Sequence, residues 1–189
     1  MPRPREFDEQ VAVARAAKLF HRRGYHATST RDLGEALALN PSSLYRAFGD
    51  KHALFLRALD HYRECEAARC TAALDGGRPI REVLREWLLG MVDSAGPPGC
   101  FVVNTATELG TDDPAAARRV QEAFDGTAAA IADLLRRGIA EGELPADLDA
   151  DDAADLLFTT GTGLRVRHRA GADPQRLRAT LDRALRALG

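Results

Sequence analysis

Residues 38–41, Ala-Leu-Asn-Pro, admit one kind of junction. Upstream, Leu33, Ala36 and Leu37 share one face of a helix that starts at Ser29. The Ser29 hydroxyl is placed to accept from the amide of Asp32, whose carboxylate sits in the electropositive first turn, close to a capping box. Downstream, Asn40 caps a new helix and Pro41 takes its first position, where a missing N–H costs nothing. The earlier helix therefore ends near Ala38 or Leu39, and two helices meet across only about three residues. That is helix-turn-helix spacing, in which the axes cross steeply.

The second of these helices is short, from Pro41 to about Phe48, and Gly49 breaks it. Eight or so residues at about 1.5 Å each span roughly 12 Å, the width of a DNA major groove. Leu44 and Phe48, four apart, anchor it inward, so Ser42, Ser43, Tyr45 and Arg46 fall on other faces. Hydroxyls, a phenol and a guanidinium suit phosphates and base edges. Ser29, Thr30 and Arg31 open the preceding helix, whose N-terminus suits a phosphate, and Lys51 opens the following one. Residues 1–55 carry a net charge of +3 and the remainder −5, an asymmetry that points one end of the chain at an anionic partner.

The stretch "GYHATSTRDLGEALALNPSSLYRAFGDKHALF" resembles the DNA-binding signature of the TetR family of bacterial transcriptional regulators nearly end to end. Gly24-Tyr25, the Ser-Thr-Arg-Asp-Leu start, Ser-Leu-Tyr, Phe-Gly-Asp-Lys and Ala-Leu-Phe all match. "GCFVVNTATEL" and "GLRVRHRAGA" are similar to one branch of that family. The resemblance implies that Pro41 to Phe48 is the recognition helix, that Arg31, Tyr45 and Lys51 meet phosphates, and that Ser42, Ser43 and Arg46 reach into the groove. It also implies a three-helix helix-turn-helix DNA-binding domain at 1–50 and a larger helical ligand-binding and dimerisation domain at 51–189. The implied protein is a homodimeric regulator, a repressor that binds a palindromic double-stranded operator and is released by a small-molecule effector or an oxidant. Three positions depart from the family pattern: Ala38 and Ser42 stand where glycine is frequent, and Gly34 where alanine is usual. Alanine disfavours positive φ, so Ala38 predicts a modified turn.

The rest of the chain reads as helix, for an all-α protein of about nine helices. Ala, Leu and Arg dominate, and long Val/Ile/Thr runs are missing. Before the junction, one helix spans about Asp8 to Arg23, with Ala12, Ala16, Leu19 and Phe20 on one face and Gly24 as a left-handed stop. Beyond it, Asp50 caps a helix from Lys51 to about Leu74. Others run from about Pro79 to Ser94, Cys100 to Leu109, Pro114 to Glu141, Asp149 to Ala170 and Asp173 to Leu188. Residues 1–7 read as a loose arm, and Gly76-Gly77 and "GPPG" at 96–99 as breaks. There is no apolar signal core and no run of about 18 apolar residues, so a cytoplasmic protein without a membrane partner is expected.

The sixth segment, "CFVVNTATEL", mixes apolar groups with Asn104, Thr105 and Glu108, as small-ligand sites do. Trp87, Met91, Phe101, Phe124 and Phe158 are candidate lining residues, and equally ordinary core. Cys100 is either a thiol activated at a helix start, and so an oxidant sensor, or a small buried hydrophobe. The last two helices carry Gly161, Gly163 and a Leu177, Leu181, Leu185, Leu188 stripe, which pack either against a second copy or within the chain. "RVRHR" at 165–169 reads as a solvated helix end. His61 and Cys65 are too few ligands for a metal, and none is expected. No nucleophile–base pair or phosphate loop appears, so neither an enzyme nor a cofactor is expected. The competing reading is an all-helical small-molecule-binding protein or enzyme that only resembles the fold.

Overall fold

The computed structural model describes residues 8–74, 77–93 and 99–189. The expected arm at 1–7 lies outside them, as do Gly76, Ser94 and residues 96–98 of the two expected breaks. Among the described residues there are nine α-helices and no strand: α1 Glu9–Arg23, α2 Thr30–Leu37, α3 Pro41–Phe48, α4 Lys51–Leu74, α5 Ile80–Asp93, α6 Phe101–Leu109, α7 Pro114–Ala140, α8 Ala150–Arg169 and α9 Pro174–Arg186. Four expected first residues, Asp8, Ser29, Asp149 and Asp173, prove to be caps; like the expected cap Asn40, each sits just outside a helix and accepts from amides of its first turn.

Two compact units result, Met1–Cys65 with Phe101–Val120, and Glu66–Cys100 with Gln121–Gly189. These packing units are cut differently from a division at residue 50, because α6 and the start of α7 belong with α1–α3. In the first unit, Ala16, Phe20, Leu33, Leu37, Leu44, Phe48, Leu54 and Phe55 are buried. Phe20, Tyr25 and Phe55 form a ring cluster, with centroids 5.1 Å apart for Phe20–Phe55 and 4.9 Å for Tyr25–Phe55. Edge-to-face aromatic contacts of this kind add to the burial itself.

In the second unit, α5, α8 and α9 pack with the later part of α7 around Val83, Leu84, Ile131, Leu135, Leu157 and Leu164. The leucine stripe of α9 is buried throughout, at Leu177, Leu181 and Leu185 and at Leu188 beyond its end. Glu143 supplies the cap that α5 lacks, accepting from the Ile80 amide at 2.7 Å. Arg81 donates to the carbonyls of Leu185, at 3.1 Å, and Gly189. Arg165 corrects the picture of 165–169 as a solvated end: its Nε donates to the Met91 carbonyl at 2.8 Å. Its long side chain thus satisfies an acceptor near the C-terminus of α5.

The helix-turn-helix junction departs from expectation in an informative way. Ala38 adopts φ 55°, ψ 40°, the left-handed conformation itself, and is the one non-glycine residue with positive φ among those described. The turn is therefore the one glycine would make. The Ala38 amide donates to Glu35 and Gly34 carbonyls, and the Leu39 amide to Gly34 at 2.9 Å. This closes α2 with a Schellman pattern. Gly34 has its reason in the same turn: a Cβ there would lie 2.9 Å from the Leu39 carbonyl oxygen. Gly24 also has positive φ, but with ψ 173° it is not left-handed helical.

An alanine held in the left-handed region is strained by about 1 kcal/mol. Ala38→Gly is expected to raise unfolding free energy by about 0.5 kcal/mol, after the glycine's extra unfolded-state entropy is subtracted. Gly34→Ala is expected to lower it despite alanine's better helix propensity, because the clash is with backbone. Urea denaturation of both variants checks the pair; a stabilised Gly34→Ala contradicts the turn geometry.

Candidate nucleic-acid interface

Helix α3 is held at two points. Leu44 and Phe48 are buried, while Pro41, Ser42, Tyr45 and Arg46 are exposed and Ser43 is half-buried. Burying each large apolar side chain is worth about 1.5–3 kcal/mol, enough to seat a helix too short to persist alone. Tyr45 remains 47% exposed on the same face as Ser42 and Arg46. Asn40 takes the Ser43 amide at 2.8 Å and also accepts the Ser42 hydroxyl at 2.8 Å.

Around α3 stand two helix starts. At α2, Ser29 and Asp32 complete the capping box: the Asp32 amide donates to Ser29 Oγ at 3.1 Å, and the Ser29 amide to Asp32 Oδ2 at 2.8 Å. The Ser29 hydroxyl proton also goes to Asp32 Oδ2, at 2.5 Å. Ser29 therefore serves the cap and has no proton left to offer a phosphate. Arg23 closes on the other oxygen at 2.6 Å. The Ser29 hydrogen bonds, then Arg23, hold the Asp32 carboxyl down at about 2. Thr30 is half-buried. Arg31 is exposed and pairs with Glu35 at 2.9 Å, a surface contact that a phosphate can replace at little loss. At α4, the Lys51 ammonium sits 4.2 Å over the Tyr25 ring. That cation–π contact aims the charge without neutralising it.

Three contacts tie this unit together across long stretches of chain. Glu108, on α6, accepts from the Tyr25 amide at 3.0 Å and the His26 amide at 2.8 Å. Gly24 makes room for it, since a Cβ there would lie 2.7 Å from Glu108 Oε2. His52 Nε2 meets Asp113 Oδ2 at 2.5 Å. The other Asp113 oxygen caps α7 by accepting from Ala115 and Ala116. Burial works against the Asp113 charge, but the Ala116 amide and His52 outweigh it and hold the carboxyl below its usual range. Arg119 Nε grips Asp60 at 2.9 and 3.0 Å.

The candidate ligand residues fall in both packing units, several with intrachain partners. Glu108 is occupied by two backbone amides. Phe101 is buried in the aromatic cluster, 5.6 Å from both Phe55 and Tyr62. The buried Thr105 hydroxyl donates to the Phe101 carbonyl at 2.9 Å. With the half-buried Asn104, these three belong to the first unit. Trp87, Met91, Cys100, Phe124 and Phe158 belong to the second. There the Phe124 and Phe158 rings meet at 5.4 Å, Met91 is buried, and Trp87 is half-buried beside Cys70. Cys100 lies just ahead of α6 as expected, with its thiol buried. Sequence reading did not single out His52, Asp113 or Asp60, whose partners are 59 or more positions away; no periodicity signals such a pair.

A short helix with a polar exposed face, seated by two buried anchors and flanked by phosphate-suited helix starts, is the architecture of a helix-turn-helix DNA-binding transcriptional regulator. Comparison with known proteins agrees. Residues 12–58 match the family model described as bacterial regulatory proteins, tetR family, and residues 76–188 the one described as tetracyclin repressor-like, C-terminal domain. The chain belongs to the TetR family of transcriptional regulators. It is 30% identical over 180 residues to the HTH-type transcriptional repressor ComR of Escherichia coli (strain K12), covering 93% of this chain and 86% of that one. The repressor BdcR of the same organism is 31% identical over 182 residues, 94% of this chain and 87% of its own. A cysteine mutant of the TetR family regulator CifR, solved with 26bp double-strand operator DNA, superimposes with a TM-score of 0.85 at 35% identity, covering 99% and 100% of the two chains. Among the described residues no helix is long and apolar enough to cross a membrane.

The capping box has a pH signature. A carboxyl depressed to about 2 contributes stability that is complete above the ordinary carboxylate value of about 4 and is lost as pH falls through about 2. The stability deficit of Asp32→Asn relative to the parent is therefore expected at pH 6 and should shrink steadily between about pH 4 and pH 2. Equilibrium unfolding across that range checks it. Glu108→Ala, which strands two amides, is expected to cost about 1–3 kcal/mol by the same measurement.

Proposed function

We propose that the chain is a transcriptional repressor that binds a palindromic DNA operator as a homodimer and lets go when a small molecule or an oxidant acts on its body. The exposed polar face of α3 carries the reading. Pro41, Ser42, Ser43 and Arg46 line the major groove, with Arg46 as the base reader. Arg31, Tyr45 and Lys51, together with the α2 amides near Thr30, hold phosphates on either side. CifR, solved on its operator, and the repressors ComR and BdcR support the assignment.

Residues 1–50 form the DNA-binding domain in this scheme, and residues 51–189 bind the effector and dimerise through α8 and α9. A two-fold dimer sets two recognition helices about one helical turn apart, matching a palindrome. Release requires an effector that binds more tightly to a body whose DNA-binding heads are wrongly spaced; equal affinity for both states shifts nothing. The effector site is assigned to Trp87, Met91, Phe124 and Phe158, and α4, continuous from Lys51 to Leu74, is the lever.

A gel shift on the DNA flanking its own gene, repeated over a salt series, tests this. Lys51→Ala and Arg31→Ala are expected to weaken binding to all sequences alike and to reduce the salt slope by about 1 each. Arg46→Ala is expected to cost about 1–3 kcal/mol and relax preference at one position of each half-site. Failure of the parent to enrich any sequence from a random DNA pool contradicts the reading.

A further inference from the structure

The hydrogen bonds at the start of α3 fix which way its outward polar groups bond. Asn40 caps the helix from an extended conformation, φ −72° and ψ 156°. Its Oδ1 accepts from the Ser43 amide at 2.8 Å and from the Ser42 hydroxyl at 2.8 Å. A backbone amide only donates, so the Asn40 oxygen has to face it, and the side-chain amide is not free to flip. Both lone pairs of that oxygen are then taken.

A serine hydroxyl has a single proton and two lone pairs. The Ser42 proton goes to Asn40, so the exposed Ser42 oxygen presents acceptor capacity alone. Ser43 is the contrast: among the described residues no hydrogen bond commits its hydroxyl proton, which is free to turn. At about 100° per residue, Ser42 and Arg46 lie about 40° apart, on the side of α3 away from Leu44 and Phe48. Both are exposed. A guanidinium carries N–H donors and no acceptor, so this face has a fixed polarity, acceptor first and donors one turn later.

Resting on the placement of α3 in the major groove proposed above, we infer that Ser42 is a specificity-determining residue whose oxygen, its proton held by Asn40, accepts from the exocyclic amine of an adenine or a cytosine. In the major groove adenine N6 and cytosine N4 donate, whereas guanine O6 and N7 and thymine O4 accept. An acceptor-only oxygen bonds the first two and sets lone pair against lone pair on the others. To bond guanine or thymine, Ser42 has to withdraw its proton from Asn40, giving up one hydrogen bond to make another. The position is therefore read as amino against keto, with little distinction between adenine and cytosine. One turn of α3 advances about 6 Å against about 3.4 Å per base step, so this position lies within about two base pairs of the one read by Arg46.

Selection of a random DNA pool by the full chain, followed by competition gel shifts with each base at each half-site position, tests this. Circular dichroism verifies that each variant keeps its helix. At one position the parent is expected to favour adenine and cytosine over guanine and thymine about tenfold. Ser42→Ala is expected to bring the four bases there to within about twofold, while the Arg46 position keeps its preference. Asn40→Gly retains a tolerated cap residue but frees the Ser42 proton, and is expected to relax the same position with Ser42 still present. Purine in place of that adenine, or pyrimidin-2-one in place of cytosine, lacks the amine; it is expected to weaken the parent about tenfold and Ser42→Ala about twofold or less. A pool that yields no enriched sequence sinks the placement of α3 on DNA, and this inference with it. A bound operator with no amino-over-keto position, or one whose amino preference survives Ser42→Ala, overturns the role of Ser42 alone. A preference lost in Ser42→Ala but kept in Asn40→Gly overturns the part given to Asn40. Should Asn40→Gly misfold, the parent and Ser42→Ala on amine-free DNA decide the question, since a serine free to donate shows no amino preference.

Discussion

Leu44 and Phe48, one helical turn apart and buried together, are what the rest of the binding face depends on. An eight-residue helix is far below the length at which a peptide helix persists in water. The α3 side chains proposed for the groove project from faces those two anchors leave exposed. Their neighbours supply the remaining constraints. Asn40 and Pro41 set where α3 begins, and Ala38 in the left-handed conformation turns the chain within three residues. Ala38 carries a backbone strain that glycine would avoid, and Gly34 supplies the room that makes the turn possible. Two of the three departures from the family pattern, Ala38 and Gly34, are thus two halves of one junction.

The DNA-binding face is also held from a distance. Glu108, Asp113 and Arg119 come from chain segments beyond residue 100, yet they bond to the α1–α2 turn and to α4. Gly24 is needed twice, for its positive φ and for the space Glu108 occupies. A carboxylate accepting two adjacent backbone amides is a strong, directional contact. Through it α6 and the turn that leads into α2 are fastened to each other within one packing unit.

Local chemistry made the helices legible before any coordinates. Caps, proline at first positions and glycine stops placed the helix ends to within a residue or two, because those signals act over three or four neighbours. The inward pair Leu44 and Phe48 followed from spacing alone. The division into packing units did not, since it depends on Phe101, Glu108 and Asp113 meeting partners far away in sequence. The contacts of the candidate ligand residues were hidden for the same reason. Phe101, Thr105 and Glu108 look like polar and aromatic pocket lining in a row, and only their partners reveal ring packing, a satisfied hydroxyl and a backbone clamp. Ala38 was legible as an anomaly, but its outcome was not: whether a turn changes shape or tolerates strain depends on the packing on both sides of it.

Chemical interference on a selected operator probes the role of α3 most directly. Dimethyl sulfate methylates guanine N7 in the major groove and adenine N3 in the minor groove. With α3 seated in the major groove of two half-sites, methylation at N7 should block binding in two clusters whose centres lie about 10 base pairs, or a multiple, apart. Minor-groove methylation between them should be tolerated. Interference confined to adenine N3, or binding indifferent to N7 methylation anywhere in the site, would contradict the placement of α3.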